Sequence, residues 1–426
     1  MKFFVSLWLA LLPLSGVLGT AVPSKYVLSS RQIPKRASRR FRRGLSPSSV
    51  SLEDYFNGTD LQWFGSIQVG TPPQNFTVVF DTGSFDLEIP GVSCTSCTNQ
   101  NKFNGSASSS FQDLQSQSTI TFATGVGVDP VVNNDYQLKL DGVRDTISVG
   151  GLAAPNISFF LITHPFNSDP FDGILGLGFT VGSFFQSLVN QGLPALFSLY
   201  LAPQGSEGAE LTLGGIDSTK FNTAMQFAKV QANQDFWNVS SSSIAVNGQT
   251  ATVLQAPQSL TFDSGTSNLV FPPDITEAIY GLISSDIKPN SAEPGTYGVA
   301  CSEVPSLNAS IEFTFTSTSG TLFNLTIPSS ELSVGPFISN TSLCQTLINA
   351  QSGPAIVGAS LLKHYYTTWD LGNQQLGFAA VNTSEATNST SGQSIQSSSS
   401  KSTIANYGKN LYFVLVPFVL LLALQA

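Results

Sequence analysis

The chain has 426 residues, 41% of them hydrophobic and 11% charged, with a mean hydropathy of +0.13, which is long enough for two cores and too apolar for general disorder. All 27 Asp and Glu residues follow Gly44, where only nine of the 18 Lys and Arg residues remain, so the body carries a net charge of −18. A surface of that sign repels phosphate backbones and excludes nucleic acid as a natural partner.

Residues 1–21 run from Lys2 through an apolar stretch to small residues at Gly19 and Ala21, the pattern of a cleaved secretory signal peptide. Residues 22–43 are basic, and the pairs Lys35-Arg36, Arg39-Arg40 and Arg42-Arg43 mark a propeptide removed by dibasic cleavage, with Gly44 as the new N-terminus. Beside an acidic body, this segment is expected to pair with carboxylates and restrain the protein until it is cut away.

From about Leu61 to Asn382, short runs rich in Val, Ile, Phe and Thr alternate with Gly, Pro, Asn and Ser clusters, which is strand-and-turn punctuation. Helical stretches are brief, around Phe184 to Asn190 and Thr276 to Ser284. Cys94 and Cys97 form a CxxC with no second CxxC and no nearby His, which favours a local disulfide over a zinc or redox site. Cys301 and Cys344 then form the other bridge, although four cysteines allow three pairings. Sequons at Asn57, Asn75, Asn104, Asn156, Asn238, Asn308, Asn324, Asn340, Asn382 and Asn388 fit the secretory route. Residues 382–410 form a Ser/Thr-rich stalk, and residues 411–426 an apolar tail containing Pro417. The tail is shorter than the ~20 residues of a spanning helix. With the small residues Ser397 to Ser400 and a polar spacer before it, it matches the signal for a glycolipid (GPI) anchor.

One repeat sets the architecture. Phe80-Asp81-Thr82-Gly83-Ser84 returns as Phe262-Asp263-Ser264-Gly265-Thr266, and Ile174-Leu175-Gly176 returns as Ile356-Val357-Gly358, both after 182 residues. Two motifs sharing one offset imply duplicated lobes, over residues 44–225 and 226–381. An Asp in an apolar strand is fixed in place, and the following Gly lets the backbone turn sharply and approach it closely. Two such carboxyls meeting at the lobe interface share one proton and titrate as a unit. The ionised member takes a proton from water while the protonated one stabilises the attacked oxygen. His164 and His364 accompany no GxSxG or nucleophile-like Cys motif, so a serine or cysteine hydrolase is excluded. The competing reading from another class is a catalytically silent surface protein that keeps the fold as a peptide-binding or wall-structural module.

With the segments WFGSIQVGTPPQNFTVVFDTGS, FDGILGLGF, AELTLGGIDSTKF, TFDSGTSNLVFP and AIVGASLLKHYYTTWDLGNQQLGFA, spanning roughly residues 60 to 381, the chain resembles the pepsin-type aspartic proteases. Its processing segments and tail resemble the fungal GPI-anchored, yapsin-like members. The resemblance implies a mostly β, bilobal fold with pseudo-two-fold lobes and a central cleft. It also implies a monomer acting on polypeptide substrates, with neither cofactor nor metal. Asp81 and Asp263 become the catalytic pair, Thr82 and Ser264 an interlobe hydroxyl network, and Ser84 and Thr266 outer hydrogen bonds to the acids, beside Gly83 and Gly265. Residues 120–126 match the flap that closes over substrate, with Phe122, Ala123, Thr124 and Gly125 at its tip. The family's usual flap Tyr is Phe122 here, Gly is Ala123, the Trp after the first motif is Glu88, and a small polar residue is Phe85. Two readings are open for Asp86 and Glu88: attraction of basic substrate side chains, or plain solvated carboxylates. Mutual repulsion among so many carboxylates raises their folded-state pKa values, so activity and stability are expected to peak at roughly pH 3 to 5.5.

Overall fold

Residues such as Gln137–Val149 and Leu152–His164 bury alternate side chains along their length, the period of a strand with one face on the core. Gly150 and Gly151, both at positive φ, join these two strands in a tight hairpin. The computed structural model describes residues 44–57, 59–131, 136–164, 171–179, 184–203 and 206–381. Among these the expected mostly β architecture holds, and the α-helices are short: Phe184–Asn190, Pro273–Ile283 and Ala359–Leu362. The second starts three residues before the sequence expectation, because Pro273 supplies a φ already suited to a first helical turn.

The two Asp motifs sit in separate sheets with the same local topology. In an eight-stranded sheet, Gln74–Asp81 runs parallel to Gly173–Gly176, which pairs antiparallel with Leu87–Pro90. In a seven-stranded sheet, Gln258–Phe262 runs parallel to Ala355–Val357, which pairs antiparallel with Leu269–Phe271. The second repeated motif therefore lies beside the first in both halves. Gly176 passes under the backbone of Phe85 and Asp86, and Gly358 under that of Thr266 and Asn268, so closely that a Cβ on either would overlap it. That contact explains why the two motifs repeat at one spacing.

A six-stranded sheet takes Ser48–Ser51, Glu210–Leu213, Leu196–Tyr200 and Gln226–Lys229 together with Tyr365–Asp370 and Gln375–Ala380 from the end of the chain. It also changes the expectation of two cores, because one continuous apolar cluster runs through both halves. Phe197 and Trp369 stack at 5.9 Å, Trp237 meets Trp369 edge-on at 5.3 Å, and Trp237 Nε1 donates to the Leu177 carbonyl at 2.9 Å. A small second cluster, Cys94, Cys97, Leu138, Leu140 and Ile162, packs against Ile120, Phe122 and Phe160.

Both expected disulfides are present, Cys94–Cys97 and Cys301–Cys344. Among the described residues no helix is long and apolar enough to cross a membrane. His164 is exposed, and His364 Nε2 lies 3.3 Å from Glu331 Oε1. Asn75, Asn156, Asn308, Asn324 and Asn340 are exposed, and Asn104 is half-buried. Asn238 differs from these: it is buried, and its amide donates to Ser259 Oγ. The Asn57 side chain, Asn382, Asn388, the signal, the propeptide, the stalk and the tail lie outside the described residues.

Candidate active site

Asp81 ends its strand behind buried Val78, Val79 and Phe80, and Asp263 follows buried Leu260, Thr261 and Phe262. Each carboxylate leads into a turn in which it accepts from the backbone two residues on: Gly83 N to Asp81 Oδ1 and Gly265 N to Asp263 Oδ1, both at 2.8 Å. The turns lock together across the lobes. Thr82 N donates to Ser264 Oγ at 3.0 Å, and Ser264 N donates to Thr82 Oγ1 at 2.9 Å. The hydroxyls pass on across the interface, Thr82 Oγ1 to the Phe262 carbonyl at 3.2 Å and Ser264 Oγ to the Phe80 carbonyl at 2.7 Å. All four bonds are buried, so they hold two polar turns without leaving unpaired groups in a low-dielectric seam.

That lock brings the two acids together. A Cβ on Gly83 would overlap the Asp263 carboxyl, and one on Gly265 would overlap that of Asp81. Only glycine lets each backbone lie against the opposite acid. Burial pushes the Asp81 carboxyl well above the usual carboxylate range, and the charge of Asp263 and a hydrogen bond with it push it further. Thr266 Oγ1 donates to Asp263 Oδ2 at 2.7 Å, as expected. Ser84, its counterpart, lies near enough to draw Asp81 somewhat down, but its Oγ completes no hydrogen bond of good geometry.

The cleft around the pair measures about 450 Å³ and is lined by Phe122, Ala123, Thr124 and Gly125, of the segment expected to form the flap. Thr124 Oγ1 reaches Thr266 Oγ1 at 3.0 Å, so a hydroxyl chain runs from flap to Asp263 although the flap carries Phe122 in place of Tyr. Phe85 meets Phe236 at 4.9 Å, closing part of the cleft with an aromatic pair from the two halves.

Sequence reasoning missed Asp60, Gln62 and Ser267. Gln62 Nε2 donates to the Gly265 carbonyl at 3.0 Å and to Asp60 Oδ1 at 3.2 Å, Ser267 Oγ donates to Asp60 Oδ1 at 3.2 Å, and Leu61 N donates to Ser267 Oγ at 3.0 Å. This polar knot fastens the strand Asp60–Val69 to the second catalytic turn. Its only trace in the sequence is a pair of polar residues two apart at the start of the strand, on one face of it. Burial raises the Asp60 carboxyl, partly offset by these donors.

Glu88 overturns the solvated reading, since it is only 2% exposed while lining the cleft. Burial raises its pKa well above the ordinary range, with Asp86 and then Asp81 adding to the effect. Asp86, half-buried at the same wall, is also raised by burial. At Asp60, Asp81, Asp86 and Glu88 the first cause is thus burial, not the mutual repulsion anticipated from the acidic composition.

A two-lobed β fold with two Asp turns facing each other under a flap defines an aspartic endopeptidase. Residues 62–381 match the family described as Eukaryotic aspartyl protease. The chain is 33% identical over 346 residues to pepsin A of Rhinolophus ferrumequinum, covering 78% of this chain and 85% of that one. It is likewise 33% identical over 346 residues to pepsin A of Sus scrofa, covering 78% and 83%. With pepsin A of Bos taurus it shares 32% identity over 368 residues, 84% and 91% of the two chains. The protein belongs to the eukaryotic aspartyl protease family.

Proposed function

We propose that the protein is a secreted acid endopeptidase, held at the cell surface by a glycolipid anchor, with Asp81 and Asp263 as its catalytic pair. The observation that carries the catalytic assignment is the reciprocal packing of each carboxyl against the other turn's glycine. Two acids packed this closely, Asp81 buried and Asp263 half-buried, do not both ionise cheaply, so one proton serves the pair. The ionised member takes a proton from a water molecule as it attacks the scissile carbonyl carbon. The protonated member donates to the carbonyl oxygen, and the pair then protonates the leaving amine as the C–N bond breaks. Thr82, Ser264, Gly83, Gly265 and Thr266 hold the acids in register, and Phe122 to Gly125 cover the substrate.

Secretion rests on residues 1–21 and the sequons, activation on the dibasic pairs, and anchoring on residues 382–426. Digestion of acid-denatured protein at about pH 4 tests the catalytic reading: the processed enzyme is expected to release peptides, and Asp81→Asn and Asp263→Asn are not. Peptide release by both variants contradicts it, and no release by the native enzyme favours a silent binding module. Release of the protein from cell membranes by a phosphatidylinositol-specific phospholipase tests the anchor.

A further inference from the structure

Glu88 has no task in that mechanism. It sits on the strand Leu87–Pro90 between two others, opposite Phe160 on one side and Ile174 on the other. Its carbonyl is packed so tightly against Gly173 that a Cβ there would overlap it, which fixes the backbone. The side chain is buried, yet it lines the cleft, and its Oε2 has no hydrogen-bond partner. A buried carboxyl oxygen without a partner, facing a substrate cleft, is an unfilled polar contact, because a native chain rarely leaves such an atom unsatisfied.

The surroundings say what would fill it. Ile120, Phe122, Phe171 and Ile174 supply apolar wall to the same cleft, and no Lys or Arg is among the described residues lining it. The charged groups acting on Glu88 are Asp86, two residues before it, and Asp81, at the end of the strand beyond Gly173–Gly176 in the same sheet. The flanking strands present Phe160 and Ile174, and the flap presents Ile120 and Phe122, all uncharged. Burial and both neighbouring acids thus favour the neutral acid until a cation enters, against a smaller opposing hydrogen bond from the Glu88 backbone. A lysine side chain suits such a recess, with its apolar stem along the walls and its ammonium at the carboxyl.

We propose that Glu88 closes a substrate side-chain subsite whose selectivity switches with pH, accepting neutral side chains while its carboxyl is protonated and lysine or arginine once it ionises against them. On binding a cationic side chain, the Glu88 proton leaves to solvent and a carboxylate–ammonium pair remains. The proposal rests on the endopeptidase reading above. Burial and the two neighbouring acids keep Glu88 neutral in acid, and an incoming ammonium draws its ionisation toward lower pH.

The test uses fluorogenic peptides identical except for Lys or norleucine at either residue flanking the cut, plus a control with Lys at the solvent-exposed end. At one flanking position, the Lys to norleucine ratio of kcat/KM is expected to rise about tenfold between about pH 3.5 and about pH 6. The control peptide shows no such rise, and in Glu88→Gln the ratio stays flat. Glu88→Met, uncharged and of similar length, replaces Glu88→Gln if that variant does not fold. A ratio independent of pH at both positions in the native enzyme overturns the proposal, as does the same rise in the Glu88 variant. Cleavage of none of the peptides at either pH instead refutes the endopeptidase reading and the subsite with it.

Discussion

The two Asp turns share a backbone but not an environment. Asp263 has a hydroxyl donor in Thr266, which is itself in contact with the flap through Thr124. Asp81 has Ser84 nearby without a completed bond, and shares its wall with Asp86 and the buried Glu88. The strands around the two turns repeat one local topology, and the side chains of one wall break that symmetry. Burial, and after it the charge of Asp263, hold the Asp81 carboxyl well above its usual range.

Several substitutions sharpen that contrast. The largest effect belongs to the acids, where Asp81→Asn or Asp263→Asn is expected to lower kcat by at least roughly 10²–10⁴-fold without changing the melting temperature downward, as read by peptide cleavage and calorimetry. Gly83→Ala and Gly265→Ala come next, because the added methyl enters the opposite carboxyl. Each is expected to cost about 1–3 kcal/mol of stability, measured by urea unfolding, together with most of the activity. On the Asp263 side, Thr124→Val removes a flap hydroxyl bonded to Thr266 and is expected to lower kcat/KM about fivefold, the worth of one hydrogen bond. Ser84→Ala, which removes no completed bond, is expected to change it less than Thr124→Val does.

The pH dependence of stability has two parts of opposite sign. Asp60, Asp81, Asp86 and Glu88 have raised folded-state values. Their contribution is complete below the ordinary carboxylate range and is lost as pH rises through the raised values. Glu331, drawn down by His364 and Lys363 against the effect of burial, contributes in the other sense and is lost as pH falls through its lowered value. Asp217, lowered first by its hydrogen bond from Thr219, acts in the same sense as Glu331. The four raised acids outnumber these two, so the melting temperature is expected to fall from mildly acid toward neutral pH. Glu88→Gln should make that fall shallower, as followed by calorimetry across the range.

Much of this was readable before any coordinates. Alternation of apolar and polar residues announced the strands, and a common spacing of 182 residues tied each Asp motif to its partner strand. Sequence arithmetic sees motifs near in chain and motifs that repeat. It does not see Ser267 bonding Leu61 and Asp60, contacts separated by more than 200 residues with no repeated signature. Nor does it see that Glu88, charged and flanked by Leu87 and Ile89, is buried, or that Asn238 turns its amide inward to Ser259. The large apolar cluster common to both halves escaped for a similar reason, since it needs strands from both ends of the chain in one sheet.

A double-mutant cycle on the acids reaches the central claim most directly, because residues acting as one unit are not additive. With kcat/KM measured at about pH 4, Asp81→Asn, Asp263→Asn and the double variant are expected to lose activity to the same floor. A double variant whose loss equals the product of the two single losses would mean that the carboxyls act independently, and would contradict a proton held in common.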